Sequence, residues 1–180
     1  MSNNYDQIAQ TFHQRIDCIA GAVDELAPGL EAAAECIMKA VLDDRKVLVV
    51  GCGQDAALAN YVATTLRSPT NGSPPLPAVP LVSDRAPDPH DEMWIALKTL
   101  SRDGDVVLCM DSSDQAPLAH FCARFASARN LTAVLLSESM EENAGLTVAL
   151  RAENAMLRRE LMLMACHSLA EQIRHSMLGE

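Results

Sequence analysis

Two short polar loops hold the residues of this sequence that are best suited to chemistry. The first loop follows the valine-rich run 46–50 and opens a helical pattern, and its candidate binding residues are Gly51, Gly53, Gln54 and Asp55. Glycine permits backbone conformations that a side chain forbids, and the N–H groups at a helix start form a ready anion site. Asp55 stands at that start, where its carboxylate would cap the helix but repel a phosphate.

The second loop follows the apolar run 106–110 and again precedes a helical pattern. Its polar residues are Asp111, Ser112, Ser113, Asp114 and Gln115. In a parallel sheet the carboxyl ends of the strands share one edge, where ligands bind, and we therefore expect both loops to mark one pocket. The two serines either bind a ligand or only form the turn. The three loop aspartates either hold a divalent cation or cap their helices in solvent.

The overall composition narrows the class of protein. The 180 residues include 24 acidic and 14 basic side chains, which give a net charge of -10 and argue against binding to nucleic acid. No apolar run is long enough to span a membrane and no signal-peptide pattern opens the sequence, so the expected location is cytoplasmic. The six cysteines form no C-x-x-C pair, and their spacing therefore indicates no metal site.

Strand and helix patterns alternate through most of the chain. The predicted strands are the apolar runs 46–50, 78–82, 106–110, 131–136 and 146–150. A long last helix is predicted over 153–177. This order predicts a three-layer α/β/α fold of the flavodoxin type with a five-stranded parallel sheet. Pro80 favours an edge position for the second strand, because proline has no N–H to donate.

Two helical patterns, 5–23 and 29–43, precede the first strand and are separated by a proline-glycine pair. Each has an apolar stripe that nothing nearby in the sequence covers, so the two helices pack on each other, on the domain or on another subunit. We predict a single domain, 1–180, in which the helical segment 1–44 serves oligomerisation and 45–180 forms the α/β core. A homo-oligomer, most simply a homotetramer, follows from the uncovered stripes.

Segments spread along nearly the whole chain match one known family. They are 46–48 with Gly51 and Gly53, then 76–79, His90-Asp91-Glu92, 104–108, Arg159-Glu160 and His167. These segments resemble the SIS (sugar isomerase) family, near the phosphoheptose isomerase group and its relative, the DnaA initiator-associating protein. The resemblance implies a SIS fold, a sugar-phosphate pocket and a homotetramer built through the N-terminal helices.

At the positions that the resemblance assigns to binding and catalysis, this sequence differs from the family. The serine-rich phosphate loop corresponds to 111–116, and a further family serine corresponds to Asp55, so carboxylates stand where hydroxyls would bind phosphate. The zinc and acid-base positions correspond to Tyr61, Thr65, Arg159 and His167, of which only the histidine is retained. We therefore predict no catalytic residue, no metal ligand and no cofactor. The predicted pocket is degenerate and comprises Gly51, Gly53, Gln54, Asp55, Asp111, Ser112, Ser113, Gln115, Glu160 and His167.

Several roles stay open from the sequence. His167 is either an acid or base or a hydrogen-bonded histidine of the core or of an interface, and Glu160 either binds a ligand or contacts a loop. The combination predicts a non-catalytic SIS-domain protein that regulates or scaffolds through protein contacts, with the replication initiator as a candidate partner. The alternative is a phosphosugar (sedoheptulose 7-phosphate) isomerase or a sugar-phosphate-binding protein with a rearranged site. A third hypothesis is a sensor of a non-phosphorylated small molecule.

Overall fold

A computed structural model describes residues 3–69, 74–85, 92–138 and 145–178. His90 and Asp91 of the matching segments lie outside these ranges. In the described residues the elements are α1 (Asn3–Leu42), β1 (Val47–Cys52), α2 (Ala56–Arg67), β2 (Ala78–Ser83), α3 (Glu92–Leu100), β3 (Val106–Met110), α4 (Pro117–Ser127), β4 (Thr132–Ser137), β5 (Leu146–Ala149) and α5 (Ala155–Leu178). A single turn of 3-10 helix, Gly53–Asp55, links β1 to α2.

The five strands form one parallel sheet in the order β2-β1-β3-β4-β5. This arrangement confirms the predicted three-layer fold. β2 lies at an edge, where Pro80 pairs opposite Val49 without leaving an inner strand short of a hydrogen bond. The central strand β3 is buried along its whole length, as expected for a strand that helices cover on both faces.

Helices cover both faces of the sheet, and each face has its own apolar core. Successive side chains of β1 alternate between the two faces. Val47 and Val49 pack with α1, α2 and α5, whereas Leu48 and Val50 pack with α3 and α4. α2 and α5 share one face of the sheet. Both helices begin at the carboxyl edge, where the two polar loops lie.

The N-terminal segment is one helix rather than the two that the sequence predicts. α1 has 40 residues and continues through Pro28, although a proline in a helix interior costs about 3 kcal/mol. Leu26, Ala33 and Ile37, on both sides of Pro28, are buried against the core, and this packing on α5 and β5 offsets the cost. The apolar face of this half of α1 is therefore covered by the domain itself, through elements that are distant in sequence.

The N-terminal half of α1 keeps an exposed apolar stripe. Its large exposed side chains are Tyr5, Ile8, Phe12, Ile16 and Val23. Their spacing places them on one side of the helix, and a contiguous apolar surface of this kind often marks an interface. The predicted homo-oligomer therefore stays our expectation. None of the helices in the described ranges combines the length and the apolar character needed to cross a membrane.

Gly51 lets α2 approach β1 closely. A Cβ atom at this position would lie 2.7 Å from the Ala59 Cβ and 2.7 Å from the Asp55 carbonyl oxygen. Gly53 follows with a φ of 56°, a left-handed conformation that glycine adopts without strain. The two glycines thus set the path by which the chain leaves the sheet and begins α2.

Gly51→Ala should lower the free energy of unfolding by about 1 to 3 kcal/mol, because the added methyl group must displace Ala59 or the Asp55 backbone. Urea denaturation followed by circular dichroism measures this. Gly21→Ala in α1 is the matched control, since no atom lies within 4 Å of its Cβ position and alanine favours a helix. Equal losses of stability in the two variants would contradict the close approach at Gly51.

We expect the stripe on α1 to hold the homo-oligomer together. Phe12→Ser combined with Ile16→Ser should therefore lower the molar mass in solution, because two exposed apolar side chains are lost from the contact. Light scattering at micromolar concentration measures the mass. Ile95→Ser on α3, also an exposed isoleucine, is the control and should leave the mass unchanged. A monomer mass for the unaltered chain would sink the expectation.

Candidate functional site

The buried carboxylate of Asp55 joins three segments at the carboxyl edge of the sheet. It accepts hydrogen bonds from the Ser112 backbone N–H (2.8 Å), the Ser112 hydroxyl (2.8 Å) and Arg159 Nε (2.9 Å). Asp55 therefore links the loop after β1 to the loop after β3 and to α5. The expectation that Asp55 caps α2 is wrong, because its side chain accepts no capping hydrogen bond from that helix.

Asp111 is the loop carboxylate that caps a helix. It accepts hydrogen bonds from the N–H groups of Leu118 (2.8 Å) and Ala119 (3.1 Å) in the first turn of α4, and from Ser113 N–H (3.1 Å). Such N–H groups have no partner within the helix, and the helix dipole favours a negative charge beside them. Asp111 is buried, so the expected cap is present but is not in solvent.

Two consecutive arginines of α5 neutralise loop carboxylates, and the sequence interpretation missed this role. The Arg158 side chain is 1% exposed and contacts Asp114 (3.1 Å) and Glu138 (3.1 Å). It also donates to the Ser112 carbonyl, and its Nε has no hydrogen-bond partner among the described atoms. A buried guanidinium needs such partners.

The order of the elements could have indicated this role from the sequence, because α5 follows β5 and so begins at the edge where both loops lie.

A cavity of about 470 Å³ lies between α2 and α5, next to this network. Its lining residues are Gln54, Ala57, Leu58, Tyr61, Met156, Arg159, Glu160 and Leu163. Spacings of three and four residues bring these positions to one face of each helix. An amide, a phenol, a guanidinium and a carboxylate are thus set among apolar side chains, a composition typical of small-molecule sites.

Partners position two of the polar groups of the cavity. The Tyr61 hydroxyl lies 2.9 Å from His167 Nε2, and the two rings meet edge to face. Glu160 pairs with Arg15 of α1 at 3.0 Å. His167 is therefore an exposed partner of Tyr61 rather than a core histidine. Glu160 lines the cavity and contacts α1, not a loop.

The positions that the family resemblance assigns to zinc do not suit that ion in this chain. Arg159 is a cation paired with Asp55, and the Thr65 hydroxyl donates to the Tyr61 carbonyl at 3.1 Å. Only His167 offers a ligand that Zn²⁺ prefers. Within the described ranges no three His, Cys, Asp or Glu side chains come together as a metal site, and the three loop aspartates contact separate partners.

The structure brings most of the predicted pocket residues to the carboxyl edge of the sheet, but only some of them line the cavity. The turn glycines are Gly51 and Gly53, the buried network contains Asp55, Asp111, Ser112 and Ser113, and the cavity lining contains Gln54 and Glu160. Gln115 is exposed in the second loop, outside that lining. Which of these residues contact a ligand stays a prediction.

The cysteine thiols take no part in the cavity. Burial raises the pKa of Cys166 to about 12. Burial, followed by a hydrogen bond with Cys122, also raises the pKa of Cys109 well above its usual value, so both thiols stay protonated and unreactive. Cys52 in the first loop contacts the Met93 sulphur at 3.6 Å, on the face of the sheet that α3 and α4 cover.

Known proteins resemble this chain over nearly its whole length, although no protein-family model matches it. It is 27% identical to the phosphoheptose isomerase of Halorhodospira halophila, over 98% of each chain. Three further phosphoheptose isomerases are 24% to 26% identical over 97% of this chain. The solved phosphoheptose isomerases of Francisella tularensis and Neisseria gonorrhoeae give TM-scores of 0.78 and 0.76 at 18% and 19% identity, and the matches cover 96% and 94% of this chain and 98% and 97% of theirs.

The parallel sheet, its flanking helices and the long last helix give the chain the fold of the SIS-domain class of proteins. Within that class, the chain is a divergent relative of the phosphoheptose isomerases. Both statements confirm the family resemblance that the sequence motifs carry.

The same findings contradict the predicted non-catalytic, regulatory role. Several full-length relatives carry the name of an isomerase, and the alternative of a phosphosugar isomerase fits them better. The charge argument behind the prediction also fails. Asp55 and Asp114 are paired with arginines and Asp111 with a helix N-terminus, so the pocket does not contain three uncompensated carboxylates.

Asp111→Ala should lower the free energy of unfolding by about 2 kcal/mol, because it removes a buried helix cap and its favourable interaction with the helix dipole. Urea denaturation measures the change. Asp114→Ala is the matched control: its side chain is 82% exposed, so loss of its ion pair should cost less than about 1 kcal/mol. Equal losses in the two variants would show that the Asp111 cap is not what holds the second loop.

Proposed function

We propose that this chain is a phosphosugar isomerase with a rearranged site, which interconverts the ketose and aldose forms of a sugar phosphate such as sedoheptulose 7-phosphate. The observation that carries the proposal is the likeness to phosphoheptose isomerases, which extends over 98% of both chains and includes the fold. The cytoplasmic location and the homotetramer stay predictions beside it.

The cavity between α2 and α5 supplies groups for this chemistry. Aldose–ketose isomerisation moves a proton between two adjacent carbons while the carbonyl moves in the opposite direction, so it needs a base and a hydrogen-bond donor at the carbonyl oxygen. Glu160, Tyr61 and Arg159 are the ionisable residues in the cavity lining. Glu160 is the candidate base, because its carboxylate accepts a proton, whereas the Tyr61 hydroxyl is a donor and Arg159 is a cation without an acceptor atom.

In the proposed reaction the Glu160 carboxylate takes the proton from the carbon next to the carbonyl. The Tyr61 hydroxyl donates to the carbonyl oxygen, which becomes the hydroxyl of an enediol, and His167 orients that phenol through its 2.9 Å contact. Glu160 then returns the proton to the former carbonyl carbon, and the other enediol hydroxyl gives its proton to the Tyr61 phenolate as its oxygen becomes the new carbonyl oxygen. Arg15, 3.0 Å from Glu160, holds the carboxylate in position.

The charge balance of the cavity supports binding of a phosphorylated sugar. Asp55 and Arg159 form one pair and Glu160 and Arg15 form another, so the negative charges near the cavity are each matched by a guanidinium. The overall charge of -10 therefore does not describe this site, since charges beyond about 10 Å are largely screened at physiological salt.

Purified protein should convert sedoheptulose 7-phosphate to an aldoheptose 7-phosphate, and Glu160→Gln should lower kcat by about 100-fold or more while KM changes little, because proton transfer contributes on that order. Nuclear magnetic resonance of the sugar, with and without added zinc, measures turnover. Glu171→Gln, an exposed glutamate on the same helix, is the matched control and should keep full activity.

Two results would count against the proposal in different ways. Absence of turnover with ketose and aldose phosphates of five to seven carbons would contradict the isomerase activity. An unchanged kcat in Glu160→Gln would leave the activity standing and remove Glu160 as the base.

A further inference from the structure

The N-terminus of α4, the usual place for a phosphate in a parallel α/β fold, already holds a carboxylate. One oxygen of Asp111 accepts from Leu118 N–H and Ala119 N–H, and the other accepts from the N–H and hydroxyl of Ser113. Asp111 is buried. A phosphate could reach these donors only by displacing the side chain that holds the loop together.

The other serine of the second loop, Ser112, also uses its hydrogen-bond donors within the protein. Ser112 gives both its backbone N–H and its hydroxyl to Asp55. The hydrogen-bond donors of both serines in this loop are therefore used inside the protein. A phosphorylated ligand in the adjacent cavity needs a donor from elsewhere.

Arg159 is the cation in the lining of the cavity, and only part of its guanidinium donates hydrogen bonds within the described residues. Its Nε binds Asp55 at 2.9 Å, whereas its two Nη groups donate to none of the described residues. Its side chain is 29% exposed. The neighbouring Arg158 differs in each respect, since it is buried and uses its Nη groups on Ser112, Asp114, Ala152 and Glu138.

We infer that Arg159 is the phosphate anchor of this chain, with Asp55 as the residue that positions it. Ser112 orients Asp55, and Asp55 holds the Nε side of the guanidinium. These contacts fix the orientation of the Arg159 guanidinium, and its two Nη groups donate hydrogen bonds to a phosphoryl group in the cavity. A guanidinium binds phosphate through two parallel hydrogen bonds, which an ammonium does not reproduce. This inference rests on the proposed function, because it names where the phosphate of that substrate lies.

Isothermal titration calorimetry with sedoheptulose 7-phosphate, unphosphorylated sedoheptulose and inorganic phosphate tests the anchor without requiring turnover. The unaltered protein should bind the phosphorylated sugar at least tenfold more tightly than the unphosphorylated one. Arg159→Gln should remove that difference, and Arg159→Lys should retain only part of it. Arg67→Gln is the matched control, since Arg67 lies at the exposed end of α2 and does not line the cavity, and it should bind like the unaltered protein.

Thermal unfolding of each variant separates loss of the fold from loss of the anchor. If Arg159→Gln does not fold, the test uses Arg159→Lys. This variant should bind the phosphorylated sugar at least threefold more weakly while its unfolding temperature stays unchanged. Equal binding of both sugars by the unaltered protein, or full affinity in the folded Arg159 variants, would overturn the inference.

Turnover distinguishes this inference from the proposed function. Binding that depends on Arg159 without any isomerisation would keep the anchor and contradict the isomerase. Isomerisation with an unchanged KM in Arg159→Gln would keep the isomerase and contradict the anchor.

Discussion

Burial of the Asp55 carboxylate at the carboxyl edge of the sheet constrains everything around it, because an isolated charge in a protein interior costs several kcal/mol. Its partners are Ser112 in the second loop and Arg159 on α5. Satisfying this one charge therefore fixes the relative positions of β1, β3 and the last helix. The cavity between α2 and α5 takes its shape from that arrangement, since Arg159 belongs to both the network and the lining.

The charged side chains at this edge of the sheet have partners close by. Asp111 matches the helix dipole of α4, Asp114 and Glu138 match the buried Arg158, and Glu160 matches Arg15. A helix N-terminus in a parallel α/β fold is a common phosphate site, whereas here the protein's own Asp111 carboxylate occupies it. The same donors thus stabilise the fold, and in the proposed function the recognition of a phosphate falls to Arg159 on α5.

The long first helix connects the core to the functional edge. Its C-terminal half is buried against α5 and β5, and Arg15 in its N-terminal half reaches Glu160 in the cavity lining. A contact that pairs the exposed apolar stripe with a neighbouring subunit would therefore also hold Arg15, and with it the charge environment of Glu160. The expected assembly would in this way act on the position of the proposed base.

The sequence by itself determined the sheet, most of the helices and the edge at which the loops meet. Valine-rich runs separated by helical patterns specify parallel strands, and Pro80 places β2 at the edge, because these signals depend on neighbouring residues. The turn glycines and the polar loops 51–55 and 111–115 were identifiable for the same reason.

Only the tertiary structure decided what the loop carboxylates do. The partners Asp55 and Arg159 are 104 residues apart in the chain, and Asp114 and Arg158 are 44 apart, so no local pattern pairs them. The sequence interpretation summed the loop charges without α5, so it missed the arginines that pair with Asp55 and Asp114. The break predicted at Pro28 was wrong for a similar reason, because packing of α1 on β5 and α5 outweighs the local helix-breaking preference of proline. Short-range periodicity fixes the elements, but the partners of a buried charge are fixed only when distant elements meet.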